Sequence, residues 1–594
     1  MGRDRRVIEE SRALNRPACH FSLTAFSLDP TMAKRLISAT FSSILKSRPS
    51  TRKTGLAHVC ALSTIQTPEP FDLFDYTTGR WIYNDALRHQ ERRRAFNVSE
   101  LKRLAALAVQ QKEDDIAGFE KLAEGGFNRS FMITMRNGFR FVARVPYPVA
   151  EPKSLLVASE VATIDFLRSH GIPVPKVFGY SAVADNAAGT EYIFMELVQG
   201  QNLGDIWYHL SEQERITLVK KLVQLESRVF GLQFPASGSL YYADDLPGYD
   251  NRVMVTSAGS TRHFCIGPDT SFGLWYGKRL DLSIGRGPLA LTAGATKEIA
   301  YLEKSGRALQ PFQRLRREVY NYQAQSHLEH IATLKKYLQI APHLIPRDCP
   351  TLHRPTIRHP DLQPNNVFVS NELEITGLID WQHSTILPLF LQCGIPHSLQ
   401  NYGDDISESL QTPNLPSNFD DLQEAEQFEQ AEVFRRRQLN YLYVKSTADM
   451  NPMHYDALTY DFSTLRRRLY HHASDPWEGD NVTLKADLVT LSRNWAKVNR
   501  DAKGPCPIFF SDEESSESLR LDRAQSEADE QYQACLEAIG VGNEGWVPVA
   551  HYDEAKGRAR KLKADGLDAA ETTDERARLL ENWIFDDFCE EDYM

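Results

Sequence analysis

The hydrophobic and polar positions between residues 105 and 200 alternate around turn signals, as they do in β-strands. Apolar side chains recur along Phe131–Met135 and Phe139–Val145, and Asn137-Gly138 separates the two runs. Asn-Gly between two such runs is the strongest short-range signal for a β-hairpin. We therefore predict a small antiparallel sheet. Its further strands are Val177–Tyr180 and Tyr192–Leu197.

A helical pattern replaces this alternation elsewhere. Ser154–Ser169 has the apolar spacing of a helix and is followed by Gly171, which favours a helix end. Further along, Ser211 and Glu214 form a capping box ahead of an apolar helical pattern that ends at Gly231. Two more amphipathic helices are predicted, at about residues 312–340 and 420–447.

Changes between these patterns divide the chain into five parts. A sheet with one helix, followed by a long and mainly helical region, predicts an α+β protein with a small and a large lobe. Residues 250–300 are rich in glycine and aromatic residues and predict an insert in the large lobe. The parts are an N-terminal extension (1–70), a lead-in segment (71–104), the small lobe (105–200), the large lobe (201–545) and an acidic C-terminal extension (546–594).

Composition excludes several functional classes. The chain has 594 residues and a formal net charge of -11, which argues against general nucleic-acid binding because phosphate neutralisation needs a basic face. Its 8 cysteines contain no C-x-x-C pair, which disfavours a disulfide framework and a structural zinc site. No stretch reaches the roughly 18 consecutive apolar residues that a transmembrane helix needs.

The segment Met32–Pro68 differs from the rest of the chain. It holds basic residues and many serines and threonines but no acidic residue. This composition is typical of a mitochondrial transit peptide, for which Met32 would be a better start than Met1. The alternative is a basic disordered tail, which has the same composition.

Two acidic segments lie toward the C-terminus. Residues 512–517 combine acidic residues with serines, and we interpret them as a solvated loop. Residues 586–592 are also acidic and follow the aromatic Trp583 and Phe585. We expect this tail either to dock back on the core or to bind a protein partner.

One segment carries recognisable chemistry. It reads His359-Pro-Asp361-Leu-Gln-Pro-Asn-Asn366, continues through an apolar strand and a polar turn, and ends a second apolar strand at Asp380. Phosphoryl transfer needs one carboxylate for the acceptor hydroxyl and separate oxygen ligands for the metal. A loop and the adjoining hairpin bring such groups together. The alternative is that Asp361 only caps a turn and Asp380 only ends a strand.

This segment resembles the catalytic and metal-binding motifs of the aminoglycoside/choline phosphotransferase family, whose members are distant relatives of protein kinases. The resemblance covers about Gly125–Trp381 and implies a bilobal protein-kinase-like fold. Together with Phe71–Trp81 and Glu124–Ser130, the motif resembles a mitochondrial branch of the family. The resemblance does not disclose the substrate of that branch.

The resemblance implies a role for each polar residue of the motif. Asp361 would be the catalytic base, and Asn366 and Asp380 would bind Mg²⁺. His359 would pack the catalytic loop and take no part in the chemistry.

The resemblance also implies a site for ATP. The loop with Gly125, Gly126, Asn128 and Ser130 stands where a phosphate-covering loop belongs, since glycine permits close backbone approach. Without that context Gly-Gly would indicate only a hairpin turn. The main chain at Glu196 and Leu197, after the last small-lobe strand, would contact adenine.

Arg144 occupies the strand position at which most of the family carries an ATP-anchoring lysine, and Glu160 on the following helix would be its ion-pair partner. An arginine binds phosphate with two parallel hydrogen bonds but differs from lysine in size and shape. The alternative is that Arg144 is a solvent-facing strand residue.

The expected function is phosphoryl transfer from ATP, with Mg²⁺, to a hydroxyl of an unidentified small molecule in mitochondria. No Ala-Pro-Glu segment follows Asp380, which disfavours a protein-kinase activation segment and favours a small-molecule or unusual substrate. A protein or a nucleic acid as the acceptor is a further alternative. Trp275 and Tyr276, with Arg279 and Arg286 nearby, either line an acceptor pocket or pack within the insert. The alternative function is a nucleotide-binding pseudokinase with a regulatory or scaffold role in mitochondrial maintenance.

Overall fold

The computed structural model describes residues 73–256, 262–287, 291–499 and 504–593. The predicted transit peptide, Met32–Pro68, lies outside these residues. No helix within the described ranges is both long and apolar enough to cross a membrane.

Strands of the described residues form several sheets, of which the largest builds the small lobe. The strands are β1 (Gly79–Trp81), β2 (Ile116–Glu124), β3 (Asn128–Met135), β4 (Arg140–Pro146), β5 (Val177–Ser181), β6 (Tyr192–Glu196), β7 (Gln201–Asn202), β8 (Ser239–Tyr242), β9 (Val253–Val255), β10 (Phe264–Gly267), β11 (Pro355–Ile357), β12 (Val367–Val369), β13 (Ile375–Leu378), β14 (Ile386–Pro388) and β15 (Trp546–Pro548).

Helices dominate the large lobe. Those of eight or more residues in the described ranges are α1 (Asp85–Arg92), α2 (Val98–Ala108), α3 (Lys153–Ser169), α4 (Glu212–Phe230), α5 (Ala293–Ser305), α6 (His327–Ile340), α7 (Glu424–Met450), α8 (Pro452–Thr459), α9 (Ser463–Ser474), α10 (Val482–Arg493), α11 (Asp512–Ile539), α12 (Tyr552–Ala569) and α13 (Thr573–Glu581).

The small lobe is a five-stranded antiparallel sheet in the order β2-β3-β4-β6-β5. The predicted hairpin joins β3 to β4 through Gly138, whose φ of 84° lies in the left-handed region that glycine tolerates. One face of the sheet buries Phe131 and Phe141 against Leu101 of α2. The helix α3 packs on strands β5, β6 and β8.

The large lobe continues from the small one through a shared hydrophobic core. Ile193 of β6, Leu378 of β13 and Tyr443 of α7 belong to this core. The capping box at Ser211 begins α4 as predicted, and α4 packs against α7. The predicted bilobal α+β fold is confirmed.

Two helix predictions needed correction. The helix predicted at 312–340 is divided into a single helical turn, Arg316–Val319, and α6, because Asn321 and Tyr322 adopt positive φ values of 50° and 59° and interrupt the helical backbone. The predicted loop at 512–517 is wrong. Ser511 accepts a hydrogen bond from the Glu514 N–H, and this capping box begins the 28-residue helix α11.

The lead-in segment and the C-terminal extension pack against each other. Strand β1 pairs with β15, and the side chain of Asn84 donates to Phe588 O (3.0 Å). Arg88 of α1 contacts both carboxylate oxygens of Glu590, at 2.7 and 2.9 Å. The acidic tail therefore docks back on the core.

Candidate active site

A hairpin, β12 and β13, positions the residues of the predicted catalytic motif. The ring of His359 connects its two ends: Nε2 donates to Ile379 O (2.8 Å), and Nδ1 accepts from Asp361 N (3.2 Å). Burial lowers the pKa of His359 to about 4, so the ring is neutral. His359 also packs edge-on against Trp381. It thus fixes the loop that carries Asp361 to the strand end that carries Asp380.

Asp361 projects from this loop and is exposed. Its Oδ2 accepts from Gln363 Nε2 (2.5 Å) and, at 3.3 Å, from Asn366 Nδ2, which also bonds to the Asp361 carbonyl oxygen (2.9 Å). Desolvation and the neighbouring charge of Asp380 raise the pKa of Asp361. The carboxylate is therefore held in one orientation and has an increased affinity for a proton.

Asp380 lies directly after β13 in a strained backbone conformation, with φ at 65°. Its Oδ1 accepts from Arg144 Nη2 at 2.5 Å, while 42% of its side-chain surface stays exposed. Burial raises the pKa of Asp380, but Arg144 more than offsets this and holds the pKa below its ordinary value. Asp380 is therefore ionised and accessible.

Arg144 on β4 connects the two lobes. Its guanidinium pairs with Glu160 of α3 as well as with Asp380, and donates to Gln382 Oε1 (3.1 Å). The side chain is buried, so it is not the solvent-facing residue of the alternative interpretation. Burial disfavours the charge of Arg144, but Glu160 and Asp380 raise its pKa above the ordinary value. Gln382 was not foreseen as part of this group.

The glycine-rich loop stands above these residues. Gly125 N donates to Asn128 O (2.9 Å), and one end of the Asn128 amide lies 2.6 Å from both Arg144 Nη2 and Gln382 Oε1. Ser130 is the cross-strand neighbour of Arg144. A Cβ atom added at Gly126 would meet nothing within 4 Å, so the space above the loop is open to a ligand.

The connector between the lobes follows β6. The side chain of Glu196 accepts from Lys176 N (3.0 Å), and Leu197 lies beyond the last strand residue. Gly200 passes so close to the catalytic hairpin that its Cβ would lie 2.4 Å from Val369 O. The main chain of Glu196 and Leu197 thus lies on the connector between the last small-lobe strand and the catalytic hairpin, and its contact with a nucleotide stays a prediction.

The oxygen atoms of the motif suit Mg²⁺. Among the described residues no group of three or more His, Cys, Asp or Glu side chains could hold a metal ion by itself. Mg²⁺ needs no such cage, because it usually binds one or two carboxylates together with substrate phosphates and water. Asn366 and the half-exposed Asp380 carry the amide and carboxylate oxygens that this arrangement uses.

A cavity of about 1510 Å³ adjoins the site. Phe127 of the glycine-rich loop and Phe272 of the insert line it, and both rings contact His383, three residues after Asp380. The other walls come from the lead-in segment, the loop before α10 and the C-terminal tail. Their residues include Arg88, Arg92, Trp477, Glu478, Phe588 and Glu590.

The aromatic insert contributes to a cavity wall and also packs internally. Trp275 and Tyr276 line this cavity. Arg279, in contrast, is fully buried against Glu298, and Arg286 stacks over the Trp275 ring at 4.0 Å. The two arginines therefore hold the insert together.

The chain is similar to a known enzyme family and to several individual proteins. The family model described as phosphotransferase enzyme family matches residues 118–390. The subtelomeric hrmA-associated cluster protein of Aspergillus fumigatus is 31% identical, over 80% of this chain and 98% of that protein. The Candida dubliniensis protein named altered inheritance of mitochondria protein 9, mitochondrial, is 25% identical, over 88% of this chain and 90% of its own. Among solved structures, the complex of APH(2″)-IIa with streptomycin and ATP is 10% identical over 68% of this chain and 98% of that chain, with a TM-score of 0.31.

Proposed function

Since the chain belongs to the phosphotransferase enzyme family, we propose that it transfers a phosphoryl group from ATP, with Mg²⁺, to a hydroxyl of a small molecule. The observation that carries this proposal is the grouping of Asp361, Asn366 and Asp380 around one hairpin, opposite Arg144 of the small lobe. The sequence after Asp380 lacks an Ala-Pro-Glu segment, which favours a small-molecule acceptor.

In this mechanism Asp361 orients the acceptor hydroxyl and takes its proton. The raised pKa of Asp361 brings its proton affinity nearer to neutral pH, where a general base works best. The hydrogen bonds from Gln363 and Asn366 fix the carboxylate before the acceptor arrives, which lowers the entropic cost of alignment.

The nucleotide would lie between the glycine-rich loop and the hairpin. Asn366 and Asp380 would hold Mg²⁺, which supplies positive charge to the phosphates when bound. Arg144 would donate to phosphate oxygens with its planar guanidinium. Backbone N–H groups at Gly125 and Gly126 would approach the phosphates from above.

The first test separates binding from transfer. ATP should raise the melting temperature only with Mg²⁺ present, and the protein should transfer the labelled γ-phosphate of ATP to a component of a metabolite extract. Asp380→Ala removes a carboxylate from the metal site, so both responses should disappear. If the wild-type protein shows neither response, the proposal is overturned.

The role of Asp361 has its own prediction. Asp361→Asn keeps the shape of the side chain but removes the base, so turnover should fall about 10²–10⁴-fold with ATP affinity unchanged. Asp185→Asn, at an exposed loop position, is the matched control. Nucleotide consumption undiminished by Asp361→Asn would remove this residue from the mechanism.

A second function is supported by one observation. Arg144 replaces the usual lysine and contacts Asp380 directly, so it competes with a metal for that carboxylate. A nucleotide-binding pseudokinase with a regulatory or scaffold role would fit this contact. Saturable ATP binding without transfer to any extract component, unchanged by Asp361→Asn, would favour this function.

We also propose a mitochondrial location. The composition of Met32–Pro68 supports it, as does the mitochondrial naming of relatives at 22–25% identity. Residues 32–70 fused to a fluorescent protein should reach mitochondria. A cytosolic signal would contradict the proposed location and leave the proposed reaction untouched.

A further inference from the structure

Arg358 lies three residues before Asp361, at the start of the loop that carries it. Only 13% of its side-chain surface is exposed. All three guanidinium nitrogens donate hydrogen bonds, Nε to Glu226 Oε1 (2.9 Å), Nη2 to Tyr443 Oη (3.2 Å) and Nη1 to Gln392 O (3.3 Å). Burial disfavours the charge of Arg358, but Glu226 raises its pKa above the ordinary value. The start of the loop is therefore held by a charged side chain whose nitrogens all have partners.

Two helices of the large lobe supply the side-chain partners of Arg358. Glu226 lies on α4 and Tyr443 on α7, and these helices pack against each other. Tyr443 Oη donates to Glu226 Oε2 (2.5 Å), so the three side chains, here called the Arg358 cluster, close a cycle of hydrogen bonds. The side chain of Glu226 is 8% exposed, and Tyr443 is fully buried. Removing one member of a buried ion pair leaves the other charge unpaired, which strongly disfavours the original arrangement.

The Arg358 cluster is connected to Asp361 through the backbone of the loop. Arg358 is followed by His359, whose Nδ1 accepts from Asp361 N (3.2 Å). Glu226, Arg358 and His359 also line one cavity of about 10 Å³, which holds a single water molecule at most. The ion pair and the imidazole are therefore close neighbours. A shift of Arg358 would be passed to Asp361 over a short and packed stretch of chain.

The Arg358 cluster lies away from the large cavity beside the active site. None of its three members lines that cavity. Within the described ranges, none of them forms a hydrogen bond with the side chain of Asp361, Asn366 or Asp380. Any effect of the cluster on the reaction must therefore pass through the loop.

We propose that Arg358, Glu226 and Tyr443 are positioning residues, which hold the loop so that the Asp361 carboxylate meets the acceptor hydroxyl in the reactive geometry. The inference rests on the proposed phosphotransferase function and extends the working parts of that site to α4 and α7. Tyr443 lies outside residues 118–390, the part that matches the family. A displacement of about 1 Å can cost about 10²-fold in rate, so residues that touch no substrate can still control turnover.

Two variants test this role. Glu226→Gln removes the charge that pairs with Arg358, and Tyr443→Phe removes one hydroxyl and keeps the aromatic ring. The maximal rate of γ-phosphate transfer from ATP, with Mg²⁺ and a metabolite extract, should fall about 10–100-fold in Glu226→Gln and less in Tyr443→Phe. The ATP concentration that gives half the maximal rate should not change, because the cluster is not among the predicted nucleotide contacts. An unchanged maximal rate overturns the inference, and Tyr443→Phe alone decides if Glu226→Gln does not fold.

A matched control separates positioning from loss of stability. Glu191 pairs with Arg94 at the small lobe, and only 6% of its side chain is exposed. Glu191→Gln therefore breaks a buried pair of the same kind without touching the loop. Its melting temperature should fall while its maximal rate, measured below that temperature, stays native. Equal losses of rate in Glu191→Gln and Glu226→Gln would show that destabilisation is sufficient, which overturns the inference.

A double-mutant cycle shows whether the Arg358 cluster acts through Asp361. Asp361→Asn already removes the base, so adding Glu226→Gln or Tyr443→Phe to it should change the remaining rate less than about twofold. The full loss of rate in both backgrounds overturns the inference and leaves the phosphotransferase proposal standing. Absence of any transfer by the wild-type protein, in contrast, overturns both.

Discussion

Arg144 is the side chain that joins the two lobes, through Glu160 in the small lobe and Asp380 in the large lobe. Its pairing with Glu160 was predicted from the family resemblance, and the pair is present in the structure. The contacts of Arg144 with Asp380 and Gln382 were not predicted, since they join residues 236 and 238 positions apart and depend on how the lobes close. No local pattern encodes such a contact.

Replacing Arg144 tests the shape of its charged group. A lysine ammonium cannot reach Glu160, Asp380 and Gln382 together, so Arg144→Lys loses charged hydrogen bonds. The free energy of unfolding should therefore fall by about 1.5–3 kcal/mol. ATP affinity should fall as well. Arg140→Lys, exposed on the same strand, is the control for both measurements. Unchanged ATP affinity in Arg144→Lys would confine Arg144 to a structural role.

The two glycines at positions 126 and 138 separate a ligand requirement from a backbone requirement. Gly126 has open space where a Cβ would stand and no positive φ, so Gly126→Ala should leave stability within about 0.5 kcal/mol but weaken ATP binding. Gly138 has a φ of 84°, which alanine adopts only with strain. Gly138→Ala should therefore lower the free energy of unfolding by at least about 1 kcal/mol and leave ATP binding unchanged. Equal ATP affinity in Gly126→Ala and the wild-type protein would argue against close phosphate approach.

At the level of helices and strands, the correct predictions were those based on residues close together in the sequence. The β3–β4 hairpin and the Ser211 capping box depend on residues a few positions apart, and both were predicted. The acidic residues after Ser511 were interpreted as a loop, yet negative charge at a helix N-terminus is favoured by the helix dipole. The capping box at Ser511 and Glu514 predicts a helix start at this position, and the loop interpretation, which used only the acidic composition, did not take it into account.

Helix α5 carries a buried ion cluster that anchors the loop at residues 475–480, which lines the cavity. Glu298 accepts from Arg279 at 2.6 and 2.7 Å and lies 3.0 Å from Lys297. Glu298→Gln would leave two buried cations without a counter-charge, so the free energy of unfolding, measured with urea, should fall by about 3–5 kcal/mol. Glu303→Gln, on the exposed side of α5, should cost less than about 0.5 kcal/mol. Similar losses in both variants would contradict this account.

The same cluster gives a pH dependence. Burial raises the pKa of Glu298, but Lys297 and Arg279 outweigh this effect. Together they lower the pKa from its ordinary value of 4.5 to about 2. The folded chain therefore binds fewer protons here than the unfolded chain, and the resulting stability is present above pH 4.5 and lost as the pH falls toward 2. Wild-type unfolding free energy should fall more steeply across this range than that of Glu298→Gln. Parallel curves would show that Glu298 does not carry the effect.

For the whole molecule, the sequence predicts two lobes but does not predict that the lead-in segment packs against the C-terminal extension. Asn84 contacts residues about 500 positions away, and β1 has its pairing partner in β15. The lead-in segment is too short to bury a core of its own, so β1 and α1 depend on the tail that covers them, whereas Leu101 of α2 packs on the small-lobe sheet. This arrangement also places Arg88 and Glu590 on the wall of the cavity.

The lead-in segment and the tail should therefore open together. The Arg88–Glu590 pair is buried on both sides, and Glu590→Ala removes charged hydrogen bonds worth about 1.5–3 kcal/mol, which corresponds to roughly a 10–100-fold increase in opening. Hydrogen exchange should rise by that factor in α1 and the tail, while β3 and β4 keep their protection. Asp592→Asn, whose pairing with Arg307 is solvent-exposed, is the matched control. Faster exchange in the tail alone would show that it docks without ordering the lead-in segment, and the cavity would then keep the α1 wall when the tail leaves.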